Sequence, residues 1–520
     1  MLAGVPDNFT PQERRYRMWL KWAVVGWMVA IIGFHLGNAI LGKTIYRDIH
    51  LGTALEYTKG SINLLKPIIV GYNANNAPTP QELPVWQAVT ALVFKMFGTW
   101  FGWASLVSLM FLFSALYPLH RIAEKLEGKE YARWTLVFFL AQPLVFLFAG
   151  EAATDGLCLA SAIWFMFFAS RLCETQSAAL FLLTVASGSL AIVSKLPFFL
   201  AAGMGCFFLT ATAYRRNARV WIWLGAAALV IGIVFFAWAK YVNDCYAQAE
   251  FTFIDLRSNG PGMRFWYFGD WHYRLSPAVW IKGIWRILGG CFGSFAIAII
   301  FLFGLFSKNS GHLTRCWLAG CIVSILIFFH LVLVHWHYYL MLTPVIALFS
   351  AHVAVQFKLL LKPANSRYAY FWFVAIMAGL FLSTIQGLAE MHLITEYDSY
   401  PKQMVKWIQQ YTKDSDKLVI EGGGWGGQML FLSDRRGLSI VNTHFLEDKK
   451  NVQRLKALGF NKLVMVSESP IHTAMMQDSS ATLLPRVTYK NFKTPVVDGW
   501  PTIFQNDDIL IKELPDLESH

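Results

Sequence analysis

Eleven apolar stretches, at roughly 19–41, 102–119, 134–150, 155–171, 178–194, 196–213, 220–239, 280–306, 315–334, 338–357 and 368–388, constrain this chain more than any other feature. A helix needs about 20 mostly apolar residues to cross the hydrocarbon of a bilayer. Only 15% of the residues are charged and 56% are hydrophobic, which is too little charge for a soluble protein of 520 residues. The expected fold class is a polytopic α-helical membrane protein with about eleven transmembrane helices. A small C-terminal α/β domain on the outer face is expected to follow.

Charge sets the orientation. Bases cluster before the first span (Arg14, Arg15, Arg17, Lys21) and after the second (Arg121, Lys125, Lys129, Arg133). They recur after the sixth (Arg215, Arg216, Arg219), the eighth (Lys308, Arg315) and the tenth (Lys358, Lys362, Arg367). Alternation from a cytoplasmic N-terminus places every cluster inside, as the positive-inside bias requires. The net charge of +12 therefore reads as membrane anchoring and not as a nucleic-acid surface. The segment Pro84–Phe97 is too short to span, begins at proline and ends at Gly98. It reads as a helix lying on the outer surface, because counting it as a span would move every later base cluster outside. The first span lacks a small-residue cleavage site and is read as a retained helix. Seven cysteines show neither CxxC nor Cys/His zinc spacing, so neither a disulfide framework nor a structural metal is expected.

This topology gathers the unusual polar residues on the outer face. Thr44–Pro84 carries Arg47, Asp48 and His50, then a Pro/Asn-rich tract ending at Gln81-Glu82-Leu83-Pro84. Asp48 is a candidate catalytic base and equally an ordinary interfacial acid paired with Arg47. Glu151 and Asp155, four apart at the start of a helix, would share one face. They would stabilise the helix N-terminus, or serve function as ionisable groups at membrane depth usually do. Lys195 interrupts an apolar run, where it either snorkels to the headgroups or offers a positive charge to a lipid phosphate. The loop 240–279 interleaves Arg257, Arg264, His272 and Arg274 with aromatics, which suits sugar and phosphate but also suits an interfacial aromatic belt. His335-Trp336-His337-Tyr338 has an HxH spacing that is weak as a metal signal and fits hydrogen bonding to a headgroup or glycan.

The tail after Tyr400 alternates differently. An amphipathic helix (KQMVKWIQQYTK), a strand from Lys417, a glycine-rich turn (EGGGWGG) and a helical stretch ending in SDRRG come first. A strand (LSIVN), a charged helix and a strand (KLVMVS) follow, which is the pattern of a small α/β domain. The glycine run lacks GxGxxG spacing and a Walker lysine, so it reads as a structural turn.

Taken in order, these features resemble the GT-C glycosyltransferases, especially the bacterial dolichyl-phosphate-mannose-protein-mannosyltransferase-like and aminoarabinose-transferase-like members. The resemblance covers most of the chain. It rests on Asp48 in the first outer loop, Gln81 to Trp86 before a surface helix, and Asp155 opening the fourth span. Lys195-Leu196-Pro197, the aromatic run His337 to Pro344, and a soluble domain with Asp434-Arg-Arg-Gly437 complete it.

The resemblance implies transfer of a sugar from a polyprenyl-phosphate donor to a glycan, lipid or protein acceptor at the outer face of the bacterial inner membrane. Residues 1–390 would form the catalytic membrane domain, with outer loops 41–101 and 240–279, and residues 391–520 the periplasmic domain. Asp48 and Asp155 would be catalytic. Arg47, Glu82, Glu151, Lys195, Arg264, His272, Arg274, His337 and Tyr338 would bind substrate. Aminoarabinose transferases have Lys-Pro-Pro where this chain has Glu82-Leu83-Pro84, so the donor phosphate would rely on Lys195, Arg264 or Arg274. Glu82 is then open to hold a divalent cation; no other cofactor is implied. The competing classes are a lipid or solute transporter, which would spread polar groups through the bilayer depth, and a non-catalytic subunit of envelope-polysaccharide assembly.

Overall fold

The computed structural model describes residues 11–252, 263–360, 366–392, 400–421, 427–440, 443–466 and 497–515. Arg257, Lys362 and most of the glycine-rich turn (422–426) lie outside the described residues, as do the side chains of Lys358 and Arg367. The chain forms two compact units. The first combines Met1–Thr44, Ser105–Phe235 and Phe265–Thr395; the second combines Ile45–Ala104, Phe236–Arg264 and Glu396–His520.

Among the described residues, seven helices are long and apolar enough to cross a membrane, and a bent pair makes an eighth. The protein is thus a polytopic, mainly helical membrane protein. Several expected spans are interrupted, each for a local reason. The stretch 134–150 breaks between the helices Lys129–Leu140 and Pro143–Phe148. Pro143 stands in the first turn of the second piece, where its missing N–H costs least. The Gln142 amide before it donates to the Thr343 carbonyl (2.8 Å). The stretch 280–306 bends by 95° between Pro277–Phe292 and Phe295–Phe306. At the bend Gly293 takes φ +67°, with no room for a Cβ beside the Ser383 carbonyl. Ser294 caps the following helix by accepting from the Ile297 amide. The stretch 315–334 divides at Phe328 into His312–Ile327 and Phe329–Val334.

The second unit is built on a five-stranded sheet: β1 (Lys417–Glu421), β2 (Arg436–Ile440), β3 (Lys462–Val466), β4 (Thr502–Gln505) and β5 (Ile509–Glu513). The order is β2-β1-β3-β5-β4, with β1 parallel to β2 and β3, and β5 antiparallel to β3 and β4. Alternate side chains face opposite layers, as strand geometry requires. Val419, Leu438 and Leu463 pack with Val452 and Leu455 of the Lys449–Ala457 helix. Leu418, Ile420 and Val464 pack with Met404 and Ile408 of the Tyr400–Tyr411 helix. The first three strands and both helices match the expected α/β alternation. The β4–β5 hairpin is an addition, closed by Asn506, whose side-chain oxygen accepts from the Asp508 and Ile509 amides.

The interval Thr44–Pro84 also holds more structure than a loop. Asp48–Lys59 is helical, and Val85–Phe97 is the expected short helix, stopped at Gly98. That helix buries Trp86, Thr90, Ala91 and Phe94 and exposes Leu92, Met96 and Phe97, the two-faced character of an interfacial helix.

Candidate functional site

In the second unit the candidate residues collect around the N-terminus of the Asp48–Lys59 helix. Asp48 is its first residue, where the helix dipole favours a negative charge, and Arg47 precedes it in extended conformation. Two phenols stand within electrostatic reach of Asp48. Burial, and secondarily the Asp48 charge, push the Tyr46 and Tyr72 hydroxyls well above their ordinary range, so both stay protonated. Tyr46 accepts a hydrogen bond from the Gln428 side-chain amide (2.8 Å) and meets Phe101 and Phe431 edge-on. Two residues past Asp48, His50 pairs with Glu82 across 3.3 Å. Thr53, Thr79, Gln81 and Gln87 join them around a small cavity. Glu82 is thus engaged with a histidine and only slightly exposed.

The sheet holds this segment in place. Gly71 forms a parallel bridge to Leu438, and its carbonyl accepts from the Ser439 amide (2.8 Å), extending the sheet beyond β2 by one residue. Gly71 and Gly427 both have positive φ and meet backbone to backbone, so a Cβ on Gly427 would collide with the Val70 carbonyl. Lys59 at the far end of the helix pairs with Asp434 (2.7 Å), and the hydrogen bond from Lys59 holds that carboxyl below its ordinary range. The neighbouring Arg435 is buried and donates to the Thr412 hydroxyl and carbonyl and to the Ser433 carbonyl. The DRRG element is therefore a structural clamp.

In the first unit, Asp155 is fully buried and receives a hydrogen-bonded ion pair from Lys195 (2.6 Å). Lys195 links the Ala178–Ser194 and Leu196–Ala213 helices in extended conformation, with Pro197 in the first turn of the second. Its ammonium also lies 5.2 Å from the Tyr338 ring centre. Snorkelling is excluded by this burial. Tyr338 stacks beside His337 (4.4 Å between ring centres), and His335 lies 5.2 Å from His337. These rings sit at the start of the 3-10 turn Trp336–Leu342.

Glu151 corrects one expectation. The helix begins at Asp155, so Glu151 lies in the preceding turn and the two acids do not share a helix face. Ser108 fixes that turn by donating to the Glu151 and Ala153 carbonyls (2.6 and 3.0 Å).

The aromatic loop splits by role. Arg274 donates to the Phe268, Leu326 and Ile327 carbonyls, so it caps the His312–Ile327 helix. His272 and Arg264 are exposed. Sequence reading missed His330, which is hydrogen-bonded to the Trp266 carbonyl (2.9 Å) and ringed by Phe265, Trp266 and Tyr273. It also missed Arg286, whose guanidinium lies 5.4 Å from the Trp336 ring and donates to the Leu333 carbonyl. A base within an apolar run was the available signal for Arg286. Among the described residues no three His, Cys, Asp or Glu side chains converge as a metal site; His50 and Glu82 supply two.

No protein-family model and no curated protein matches the sequence. Solved structures do match in fold. ArnT from Cupriavidus metallidurans, bound to undecaprenyl phosphate, aligns over 94% of this chain and 98% of its own, with TM-score 0.58 and 11% identity. The mycobacterial arabinofuranosyltransferase AftD aligns over 97% of this chain and 40% of its own, with TM-score 0.56 and 11% identity. The Archaeoglobus fulgidus oligosaccharyltransferase, in complex with Zn and sulfate, aligns over 85% and 68%, with TM-score 0.52 and 11% identity. At such identities the likeness shows a shared fold along nearly the whole chain, and nothing beyond the fold.

Proposed function

We propose that the protein is a membrane glycosyltransferase that moves a sugar from a polyprenyl-phosphate donor to an acceptor hydroxyl by a single inverting displacement. The observation that supports this most is the fold. It aligns over nearly the whole length of both chains with a structure that holds undecaprenyl phosphate. In this reading the acceptor is a glycan, lipid or protein at the periplasmic face of a bacterial inner membrane. The N-terminus is cytoplasmic and the domain beyond about residue 390 is periplasmic. In this reading the seven long helices, the three interrupted pairs (Lys129–Leu140 with Pro143–Phe148, Pro277–Phe292 with Phe295–Phe306, His312–Ile327 with Phe329–Val334) and the shorter Ala178–Ser194 helix are eleven crossings, with the two termini on opposite faces.

Asp48 takes the proton of the acceptor hydroxyl as its oxygen attacks the anomeric carbon, and polyprenyl phosphate departs from the opposite face of the sugar. The leaving phosphate already carries its charge, so no acid has to protonate it. Arg47 and the His50–Glu82 pair line the acceptor side of this reading. In this reading Lys195, Arg264 and Arg274 are the cations that serve a lipid phosphate. Asp155 orients Lys195, and His337, Tyr338, His272 and Glu151 complete the polar contacts to substrate. A divalent cation enters only by analogy with the Zn complex of the archaeal oligosaccharyltransferase.

A positioned base contributes about 10²–10⁴-fold. Asp48→Asn in the full-length protein should therefore lose at least about 100-fold in turnover of a polyprenyl-phosphate sugar while donor binding and thermal stability are kept. Turnover would be followed by mass spectrometry of the glycosylated product. An Asp48→Asn protein with wild-type turnover overturns the assignment of the base. An inactive variant that still supports envelope-glycan assembly in cells favours a non-catalytic subunit.

A further inference from the structure

The membrane unit holds three side chains, Glu127, Ser307 and His352, that the sugar-transfer reading leaves unused. The helix Thr343–Leu360 starts at the end of the Trp336–Leu342 turn and leads away from it. At 1.5 Å per residue, His352 lies about 14 Å along that helix. Gly304 of the Phe295–Phe306 helix meets it backbone to backbone, since a Cβ there would collide with the Phe349 carbonyl. Three residues further along each chain segment, Ser307 Oγ comes within 2.8 Å of His352 Nε2. On the other side of the ring, His352 Nδ1 is 2.6 Å from Glu127 Oε1, at the end of the Leu116–Glu127 helix.

The three groups stand in the order nucleophile, base, acid. A carboxylate oxygen only accepts, so Nδ1 carries the ring proton, and in the neutral imidazole Nε2 accepts from the Ser307 hydroxyl. By this connectivity a histidine takes a serine proton during attack on a carbonyl, and it is recognised by geometry and not by fold. His352 is buried, whereas Ser307 and Glu127 are partly exposed. Hydroxyls inside the helices, such as those of Thr184 and Thr210, donate to the carbonyl four residues back. Ser307 stands just past its helix end, and its hydroxyl faces the imidazole instead. Ser307 also opens a turn, closed by the Ser310 N–H on the Ser307 carbonyl (3.2 Å), and Arg315 donates to the same carbonyl. The bond that closes the turn leaves out the N–H groups of Lys308 and Asn309. Lys308 follows the serine directly, the place from which hydrolases donate a backbone N–H to an oxyanion.

We infer that Ser307, His352 and Glu127 form a second reactive centre, one that cleaves carboxylic esters at the end of the membrane unit where Lys308 and Arg315 lie. Ser307 Oγ attacks the ester carbonyl carbon as its proton passes to His352 Nε2. The bond to the alcohol oxygen breaks, and that oxygen leaves with the proton from His352, so the acyl group remains on Ser307. Water then attacks the acyl carbon and gives a proton to His352, which returns it to Ser307 as the carboxylic acid departs. Water is the only co-reactant. Glu127 touches no reacting atom; it is a positioning residue that fixes the tautomer and aim of His352. The centre shares no residue with the sugar-transfer reading and does not rest on it.

The test is covalent labelling of the purified full-length protein with a biotinylated fluorophosphonate, whose phosphorus bonds to an activated serine oxygen as fluoride leaves. Peptide mass spectrometry should find the label on Ser307 in the wild type, and Ser307→Ala should lose it. His352→Gln should slow labelling at least about 100-fold, the contribution of a positioned base. Glu127→Gln should slow it too, because its amide N–H can donate to Nδ1 and select the wrong tautomer. Glu127→Asp should restore part of the rate. Hydrolysis of p-nitrophenyl butyrate should fall in the same order across these variants. A purely structural clamp predicts lowered thermal stability in the His352 and Glu127 variants and no label on Ser307 in the wild type, and that result overturns the inference. So does labelling of Ser307 that runs equally fast in Glu127→Gln and wild type. Should His352→Gln fail to fold, the wild-type label, its loss in Ser307→Ala and the Glu127→Gln against Glu127→Asp contrast still decide the matter. Neither assay contains a polyprenyl-phosphate donor, so either outcome leaves the glycosyltransferase reading to its own test.

Discussion

Two carboxylate–lysine pairs mark the contrast between the units. Asp155–Lys195 in the membrane unit is buried, with side-chain exposures of 0% and 4% and a separation of 2.6 Å. Asp434–Lys59 in the other unit has nearly the same separation (2.7 Å) but exposures of 73% and 50%. Equal geometry does not mean equal energy. Water already solvates the exposed partners, so forming the pair gains little. Burial removes that solvation, so each member of the buried pair depends on the other. The Asp155–Lys195 pair therefore depends on both of its members, whereas the exposed Lys59–Asp434 pair adds little to a contact that backbone fit at Gly71 and Gly427 also makes.

The largest effect should come from Lys195→Met. It leaves Asp155 buried without its cation, which costs about 3–5 kcal/mol. Thermal unfolding of the full-length protein should fall steeply, with loss of turnover. Adding Asp155→Leu should restore most of the stability, because replacing both partners of a buried pair by apolar groups is close to neutral. Turnover should stay lost. Wild-type stability in Lys195→Met alone would show that water reaches the pair.

The second unit should break instead at backbone contact. Gly427→Ala puts a Cβ against the Val70 carbonyl at φ +71°, a conformation unfavourable for any L side chain. The strain and overpacking together should cost about 2–4 kcal/mol. The 60–84 segment should become sensitive to limited proteolysis while the apolar spans keep their protection. Unchanged cleavage would mean that the Gly71–Leu438 bridge does not hold the segment.

These two regions also differ in how far the sequence revealed them. The apolar spans are written in local composition, and so are Gly98 and Lys195-Leu-Pro197 as points of interruption; the break at Pro143 was not read, since 134–150 scans as one apolar stretch. The 95° bend was less visible, because Gly293 lies within a continuous apolar run and sequence hydropathy carries no direction. The Asp48–Lys59 helix was missed because Asp48, His50, Gly52, Glu56 and Lys59 leave no clear apolar stripe, and it packs mainly against the Val85–Phe97 helix, a contact that hydropathy does not show. Asp155 and Lys195 were legible as candidates. Their pairing across 40 positions was not, nor was Tyr46 with Gln428 across 382, since long-range contacts follow from chain topology. Glu151 was misplaced through a helix-spacing rule applied one turn before the helix begins.

The smallest effect should appear at the exposed pairs when pH or salt changes. The hydrogen bond from Arg454 holds the Glu250 carboxyl below its ordinary range, and the one from Lys59 does the same for Asp434. A carboxylate with a lowered folded-state pKa binds fewer protons folded than unfolded through the carboxylate range. The stability it contributes is therefore complete above the unfolded value, and it is lost as pH falls through the lowered folded value. Acidification from pH 6 to about pH 3 should weaken the attachment of the 236–252 and 45–104 segments to the sheet domain. Raising ionic strength at pH 7 should act in the same direction, because exposed pairs are screened over a Debye length of about 10 Å at 0.1 M. Both changes should increase amide exchange in those segments only slightly, and Glu250→Gln should abolish part of the salt dependence. A large salt-induced release at neutral pH would instead show that the exposed charges, and not the Gly71–Gly427 backbone fit, hold the second unit together.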